Sequence, residues 1–549
     1  MAKLKVETPS RTTNPAPHIT ATLLAVFALL VSILTALPAQ AAGAPPVYPI
    51  SGYFIYGSTN DATNMSKLTD IKSVGGDTII TFGSLLKPAT LASVPASCTI
   101  GGVNCAAAAT SGVKVNRYFT YSDGNSWGAP ALICPRDKTV TSGNTVYTIL
   151  VFPTLGTTCT SSNGLYDVVV INGGTTSISV SVAKAATTLG MKYYTGMPAP
   201  VKRTDITYLV DLSYQSTLTA FTNRFLQYEG KVNNVPGLAG FYHHTEMPLS
   251  DSPIWAPVLD VYKLQNAAIR KYMPTRAAVI SPYLDTRIAS AANITPDEAG
   301  RAIADIAATA NGVSLAIAVQ DGMGTGKTGA FFGNESGSSV DQYAASVVGS
   351  GSWGSKYLAP NRDYFAAMAD GVDGTGTQLW ANLEGMAPAT SQNPCDTSLR
   401  GQTTKPRVDR QLQQLGNSPT KIISFMWDPY YTCTGTFTPM FQRMKTASAT
   451  PVITDSIFYG NGDVLVTGEN LSGGTVQVRW TDVNGQTFNK TVPATSYNPN
   501  YGTQQGINPR IESVMASLGN TSLGSGKYYL IDVLNGAGMK NDAPYSDQG

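Results

Sequence analysis

Residues 319–329 read VQDGMGTGKTG, and how they are read decides the fold. Gly326-Lys327-Thr328 is the tail of the phosphate-loop pattern G-x-x-x-x-G-K-[ST], a mark of nucleotide-binding open sheets. The position owed to the first glycine holds Asp321, a carboxylate where a polyphosphate needs bare backbone amides. A true phosphate loop also runs straight into a helix whose N-terminal N–H groups cradle the phosphates. Here Thr328 is followed by GAFFGNESG, a loop composition. The stretch therefore reads as a β-strand ending in Gln320-Asp321 with a glycine-rich loop above it, and no nucleotide partner is expected.

Working outward, short apolar or aromatic runs alternate with longer amphipathic stretches, the signal for repeated β-α units. Eight strands are predicted: 50–57 (ISGYFIYG), 77–83 (DTIITFG), 191–197 (MKYYTGM), 238–247 (LAGFYHHTEM), 277–285 (AAVISPYLD), 314–320 (SLAIAVQ), 378–384 (QLWANLE) and 421–427 (KIISFMW). Helices are predicted over 211–229, 256–272 and 296–310, the last with Thr295 and Pro296 as N-cap and first-turn pair. Weaker helical stretches around Leu412 and Phe441 flank the last strand. Eight such units predict an α/β fold, a (β/α)8 TIM barrel with its chemistry at the C-terminal strand ends. An open doubly wound sheet would need a phosphate or dinucleotide fingerprint, and none is found.

A long insertion, about 85–172, follows the second strand and carries four of the six cysteines. In a β-to-α loop it belongs on the active face, as a wall or lid of the site or as a disulfide-tied decoration. Proximity suggests the pairs Cys98 with Cys105, Cys134 with Cys159, and Cys395 with Cys433, among fifteen connectivities. From about residue 450 alternating runs such as TVQVRW, with turns at Asn461-Gly462, Gly473-Gly474 and Asn484-Gly485, predict a C-terminal all-β sandwich over 450–549. Lys3, Lys5 and Arg11 precede the apolar run 21–37 and Ala39-Gln-Ala41, which reads as a signal peptide over 1–41; an uncleaved anchor is the alternative. The barrel is then 42–449. Lys+Arg 37 against Asp+Glu 35 gives net charge +2, so no broad field argues for nucleic acid or an anionic membrane. Charged residues make up only 13%, well below the roughly 25% of ordinary soluble chains, a polar but uncharged surface of extracellular type.

Three strands end in carboxylates. Glu246 closes the fourth, Asp321 follows the sixth and Glu384 closes the seventh. Alternation along a strand puts Tyr242, His244 and Glu246 on one face, and Trp380, Asn382 and Glu384 on another. Glycosidic cleavage needs two carboxyl groups across the scissile bond, one to protonate the leaving oxygen and one to attack or to activate water. Asp321 is expected as a substrate-binding or pKa-setting neighbour. His243 and His244 are adjacent and point oppositely, so they cannot chelate one metal together, and no G-x-S-x-G elbow supplies a nucleophilic serine. No metal and no cofactor is implied.

Glutamates at the ends of strands four and seven resemble the 4/7 superfamily, the large clan A of retaining glycoside hydrolases. That resemblance implies Glu246 as acid/base and Glu384 as nucleophile, and Trp427 as a tryptophan under the sugar ring. More narrowly, GFYHHTEM, ISPYLD, VQDGMG and WANLEGM resemble a bacterial family of glycoside-hydrolase-like barrels of unknown function, over Ile50 to about Thr446 apart from the insertion. Two positions depart from the clan: Thr245 stands where it usually has asparagine, and no arginine marks the end of strand two. The expectation is a secreted retaining glycosidase acting on a poly- or oligosaccharide, with Asp321, Gln320, His244, Asn382, Trp380, Trp427, Tyr242 and Tyr53 lining the subsite. Trp380 and Trp427 either stack on a sugar or belong to the core. The alternative function is a non-catalytic carbohydrate-binding or cell-surface protein on the same barrel.

Overall fold

A computed structural model describes residues 47–206, 209–395, 400–482, 484–521, 523 and 527–548. The predicted leader, 1–41, lies outside them. Eight parallel strands close into a barrel: β1 (Gly52–Phe54), β2 (Thr78–Ile80), β3 (Lys192–Gly196), β4 (Leu238–Tyr242), β5 (Ala277–Ile280), β6 (Leu315–Gln320), β7 (Gln378–Glu384) and β8 (Lys421–Phe425), with β8 paired back onto β1. Each falls within its predicted run, because runs apolar on both faces suit a strand covered by helices outside and by side chains inside. Phe54, Ile80, Tyr194, Tyr242, Val279, Ala318, Trp380 and Ile423 fill the interior. Their neighbours Tyr53, Ile79, Tyr193, Phe241, Ile317, Leu383 and Ile422 face the surrounding helices. Each fully buried large side chain contributes about 1.5–3 kcal/mol, so this double register leaves little freedom to slip.

Local signals set the helix ends. The helix Ala256–Tyr272 matches its predicted bounds, and Pro296–Ala307 opens on the Thr295 capping box, with Glu298 Oε2 accepting from the Thr295 amide at 2.8 Å. The helix predicted from residue 211 starts later, at Gln215, because the Asp211 carboxylate accepts from the Ser213 amide and holds a turn.

The insertion folds as a six-stranded sheet in the order Ala199–Pro200, Leu85–Ala89, Lys114–Ser122, Leu165–Gly173, Thr145–Pro153, Lys138–Ser142. Its first strand pairs with Ala199–Pro200 just beyond β3, which welds the insertion to the barrel rim. Disulfides join Cys98 to Cys105, Cys134 to Cys159 and Cys395 to Cys433, and the last ties the loops after β7 and β8.

Beyond the helix Met440–Thr446, two four-stranded antiparallel sheets form the sandwich, beginning at Val452–Phe458. Val464, Val466, Val476, Val478, Val514, Ile531 and Val533 make its core. Barrel and sandwich lie within one compact unit, Val47–Gly549. The helix Lys405–Leu415 joins them. Its Lys405 Nζ lies 2.5 Å from Asp409 and 2.8 Å from Asp542, and Gln413 Nε2 donates to the Ala543 carbonyl. On its other side Gln411 Nε2 donates to the Glu384 carbonyl at 3.1 Å, and Arg407 to that of Met323 at 2.9 Å.

Candidate active site

At the C-terminal mouth of the barrel a cavity of about 310 Å³ is bordered by Phe82, Leu85, His244, Glu246, Gln320, Glu384, Met386 and Phe425, and Lys202 and Arg400 line it as well. Leu85 belongs to the insertion, which therefore contributes to the wall. Both predicted glutamates reach the same space. Glu246 does so from further out than the sequence suggests: β4 ends at Tyr242, and the chain runs on extended until Met247 and Leu249 bond to Tyr283. Alternation survives that break. His243 turns outward, its ring nitrogens within 2.9 Å of the Gln265 and Asn266 side chains, and His244 faces the cavity.

The two carboxyl groups are held differently. Glu246 Oε1 accepts from Gln320 Nε2 at 3.3 Å, and Gln320 is itself fixed by donating to the Ser281 carbonyl at 3.0 Å. Burial pushes the Glu246 pKa above the usual carboxylate value, against the opposing pull of Lys202, Lys327 and Arg400. Glu384 accepts from the Thr325 amide at 2.6 Å and from the Thr325 hydroxyl at 3.2 Å. The loop can approach this closely because residue 324 is glycine: a Cβ there would stand 2.5 Å from Glu384 Cβ and 2.7 Å from its carbonyl oxygen. The run that imitates a phosphate loop thus wraps a carboxylate.

His244 and Gln320, two of the expected subsite residues, line the cavity. Burial, and then Lys202, lowers the His244 pKa to about 4, so the ring is neutral, and its buried Nδ1 has no hydrogen-bond partner among the described residues. Six expected subsite residues lie elsewhere. Asp321 is fully buried behind Glu384, its Oδ1 accepting from the Glu384 amide at 3.2 Å, because Gln320 takes the inward position and its neighbour must point out. Burial and the adjoining Glu384 both raise the Asp321 pKa. Asn382 sits one rung below Glu384 and donates to Ser281 Oγ at 3.0 Å, and Trp380 sits two rungs down in the barrel interior, against Tyr194. Tyr242 is also interior and does not border the cavity, yet its hydroxyl reaches the Glu246 carboxyl, and burial, then the charge of Glu246, raises its pKa. Trp427 is 2% exposed and packs outside the barrel on Tyr53, Tyr431 and Phe441. The strand ends at Phe425 and the chain turns through a kinked segment over Trp427–Tyr431, with Trp427 packed against Tyr53 on the outer side of the barrel.

The aromatic side of the cavity is instead formed by Phe82 and Phe425, packed edge-to-face with ring centroids 6.0 Å apart. Strand alternation from Ile80 and Ile423 could have located both. Thr325 stands on a loop, Lys202 at an isolated bridge to Val210 and Arg400 in the two-residue strand Arg400–Gly401, and none leaves a periodic signal. Among the described residues, no three His, Cys, Asp or Glu side chains gather where they could hold a metal ion.

No protein-family profile matches the sequence, and no curated protein matches it. Solved structures similar in chain trace include a candidate alpha-L-fucosidase of Bacteroides thetaiotaomicron, 13% identical with TM-score 0.41, covering 74% of this chain and 94% of that one. A beta-galactosidase of the psychrophilic Marinomonas ef1 is 10% identical with TM-score 0.36, over 73% of this chain and 59% of its own. An endo-beta-1,4-mannanase of Thermotoga petrophila is 9% identical with TM-score 0.30, over 92% and 98%. Likeness at this level says nothing of the chemistry of the cavity, which rests on its own residues.

Proposed function

We propose that the protein is an exported retaining glycoside hydrolase acting on a poly- or oligosaccharide, with Glu246 as acid/base and Glu384 as nucleophile. The observation that carries this reading is the convergence of two unlike carboxyl groups on one cavity, from beyond the fourth strand and the end of the seventh. Glu246, its pKa raised by burial, is suited to hold a proton for the leaving oxygen. Glu384, oriented by Thr325, is suited to attack the anomeric carbon. In the first step Glu384 forms a glycosyl ester as Glu246 gives its proton to the departing oxygen. In the second, Glu246 takes a proton from water, whose oxygen displaces Glu384 from the anomeric carbon. Phe82 and Phe425 give the cavity an apolar side suited to the apolar face of a sugar ring, and the neutral His244 ring stands beside them. Three disulfides suit the oxidising compartment to which a leader over 1–41 would deliver the chain, and the sandwich is an accessory module beginning near residue 450.

The test is a panel of polysaccharides and aryl glycosides incubated with the purified protein, with product anomers followed by NMR. Release of product with retained configuration, abolished in Glu384→Gln, supports the reading. Inverted product, or activity surviving in Glu384→Gln, overturns it.

A further inference from the structure

Next to the catalytic cavity lies a second one of about 170 Å³, and Phe82 borders both. The barrel contributes the ends of β1, β2 and β3 to it, and the insertion contributes Asp123 and Asn125. Those two residues flank Gly124, whose φ of 71° lies in the left-handed region that glycine adopts without strain. Elsewhere the insertion meets the barrel through apolar packing, Phe119 against Tyr214 and Trp127 against Phe221 and Tyr228. Here the lining turns polar, with Thr81, Asp123, Asn125, Ser179 and Thr195 around the space. A seam that only joined the two parts has no use for such a lining, since buried polar groups cost free energy unless each finds a partner.

The Asp123 carboxylate accepts from the Asn125 backbone amide at 2.9 Å, the Asn125 side-chain amide at 3.0 Å and the Trp127 indole at 3.0 Å. Two carboxylate oxygens accept about four hydrogen bonds, so these three donors fix the group and leave room for one more. Tyr56 borders the same cavity and is 60% exposed, its ring centre 5.7 Å from that of Phe82. An exposed aromatic near a fixed acceptor suits a ring that has an apolar face and hydroxyl groups at its edge.

We infer that the second cavity receives a further sugar unit of the same oligosaccharide, linked past Phe82 to the unit in the catalytic cavity, with Tyr56 against its ring and Asp123 accepting from one of its hydroxyls. This rests on the hydrolase reading for the placement of the first unit, and it is tested by binding, apart from turnover. The inactive variant Glu384→Gln is titrated calorimetrically with gluco-, galacto-, manno-, xylo- and galacturono-oligosaccharides of one to four units. The expected result is one series in which a single added unit tightens binding at least about tenfold, the worth of one hydrogen bond to a charged group. Adding Tyr56→Ala or Asp123→Asn should take about tenfold from the longer member and leave the shorter unchanged. Tyr459→Ala, which removes an exposed tyrosine just beyond the sandwich strand Val452–Phe458, should alter neither. A step that survives both Tyr56→Ala and Asp123→Asn, or the absence of any series that tightens with length, overturns the inference even if the wild type cleaves glycans. Oligosaccharides that show the step in Glu384→Gln but are left uncut by the wild type would overturn the hydrolase reading alone.

Discussion

Gly324 is the position at which the fold of the cavity can be tested without knowing the substrate. Its α-carbon passes so close to β7 that an alanine Cβ would stand 2.5 Å from Glu384 Cβ, 2.7 Å from the Glu384 carbonyl oxygen and 2.8 Å from that of Met386. Two of those three atoms are backbone of the strand and the segment after it, so the loop has to give way. Relief to ordinary contact needs roughly 1 Å, and a hydrogen bond of 2.6 Å from the Thr325 amide to Glu384 does not survive such a shift. Overpacking of this kind costs about 1–3 kcal/mol, and loss of a hydrogen bond to a charged group about 1.5–3 kcal/mol. Gly324→Ala is therefore expected to destabilise by about 2.5–6 kcal/mol, read as a lower guanidinium midpoint. Gly230→Ala is the counter-experiment: it lies within the helix Gln215–Val232 with open space around it, and should stabilise by about 0.5–1 kcal/mol. Once a substrate is known, Gly324→Ala should also lose on the order of 100-fold in kcat, because a nucleophile misplaced by 1 Å reacts poorly. A Gly324→Ala midpoint equal to the wild type would show that the loop does not clamp Glu384.

Other expectations follow from the same geometry. Glu246→Ala should lose little on dinitrophenyl glycosides, which need no proton, and about 10²–10⁴-fold on natural glycosides, whereas Glu384→Ala should lose both and regain turnover with azide; equal losses on both substrate types would reverse the assigned roles. Since Glu246 must be protonated to act as acid, activity should fall as pH rises through its elevated pKa. Lys202→Ala, which removes a charge that holds that pKa down, should move the alkaline limb to higher pH, and an unmoved limb would show that another group sets it. Glu229 is fully buried with its pKa raised from 4.5 to about 7, so the cost of ionising it is absent below about pH 4.5 and complete above about pH 7. Glu229→Gln should accordingly recover roughly 3 kcal/mol at pH 8 relative to pH 4.5 in denaturant titrations, and an unchanged pH slope would refute that burial. Calorimetry with ATP should give no binding heat in the wild type or in Lys327→Ala, and micromolar affinity would reopen the nucleotide reading.

The barrel was legible because eight runs apolar on both faces announce strands that are covered inside and out. The loop pattern was legible in the negative, through Asp321 where a glycine was due. The cavity was legible wherever strand alternation continues to the mouth, as it does for Glu246, His244, Gln320 and Glu384. It failed where a strand stops. Trp427 shares parity with Phe425, and only the turn that begins after Phe425 sends the tryptophan to the outer face and leaves the phenylalanine at the mouth. Nor does sequence reveal depth along a strand, so Trp380 and Asn382 have the right parity but lie too low. Thr325, Lys202 and Arg400 reach the site from a loop, an isolated bridge and a two-residue strand whose paths depend on tertiary contacts.

The helix Lys405–Leu415 makes the C-terminal sheets something other than an appendage. Many extracellular enzymes carry accessory modules that evolution can delete, duplicate or exchange, since nothing in the catalytic body depends on them. Here the sandwich supplies Asp542 to the buried Lys405 and the Ala543 carbonyl to Gln413, and the next residues of the same helix hold the Glu384 and Met323 carbonyls. Excising it would take from the buried Lys405 one of its two carboxylate partners, on the helix whose Gln411 holds the Glu384 carbonyl. The C-terminal sheets thus act as a buttress behind the end of β7, and cutting the chain near residue 450 would disturb the packing that supports Glu384.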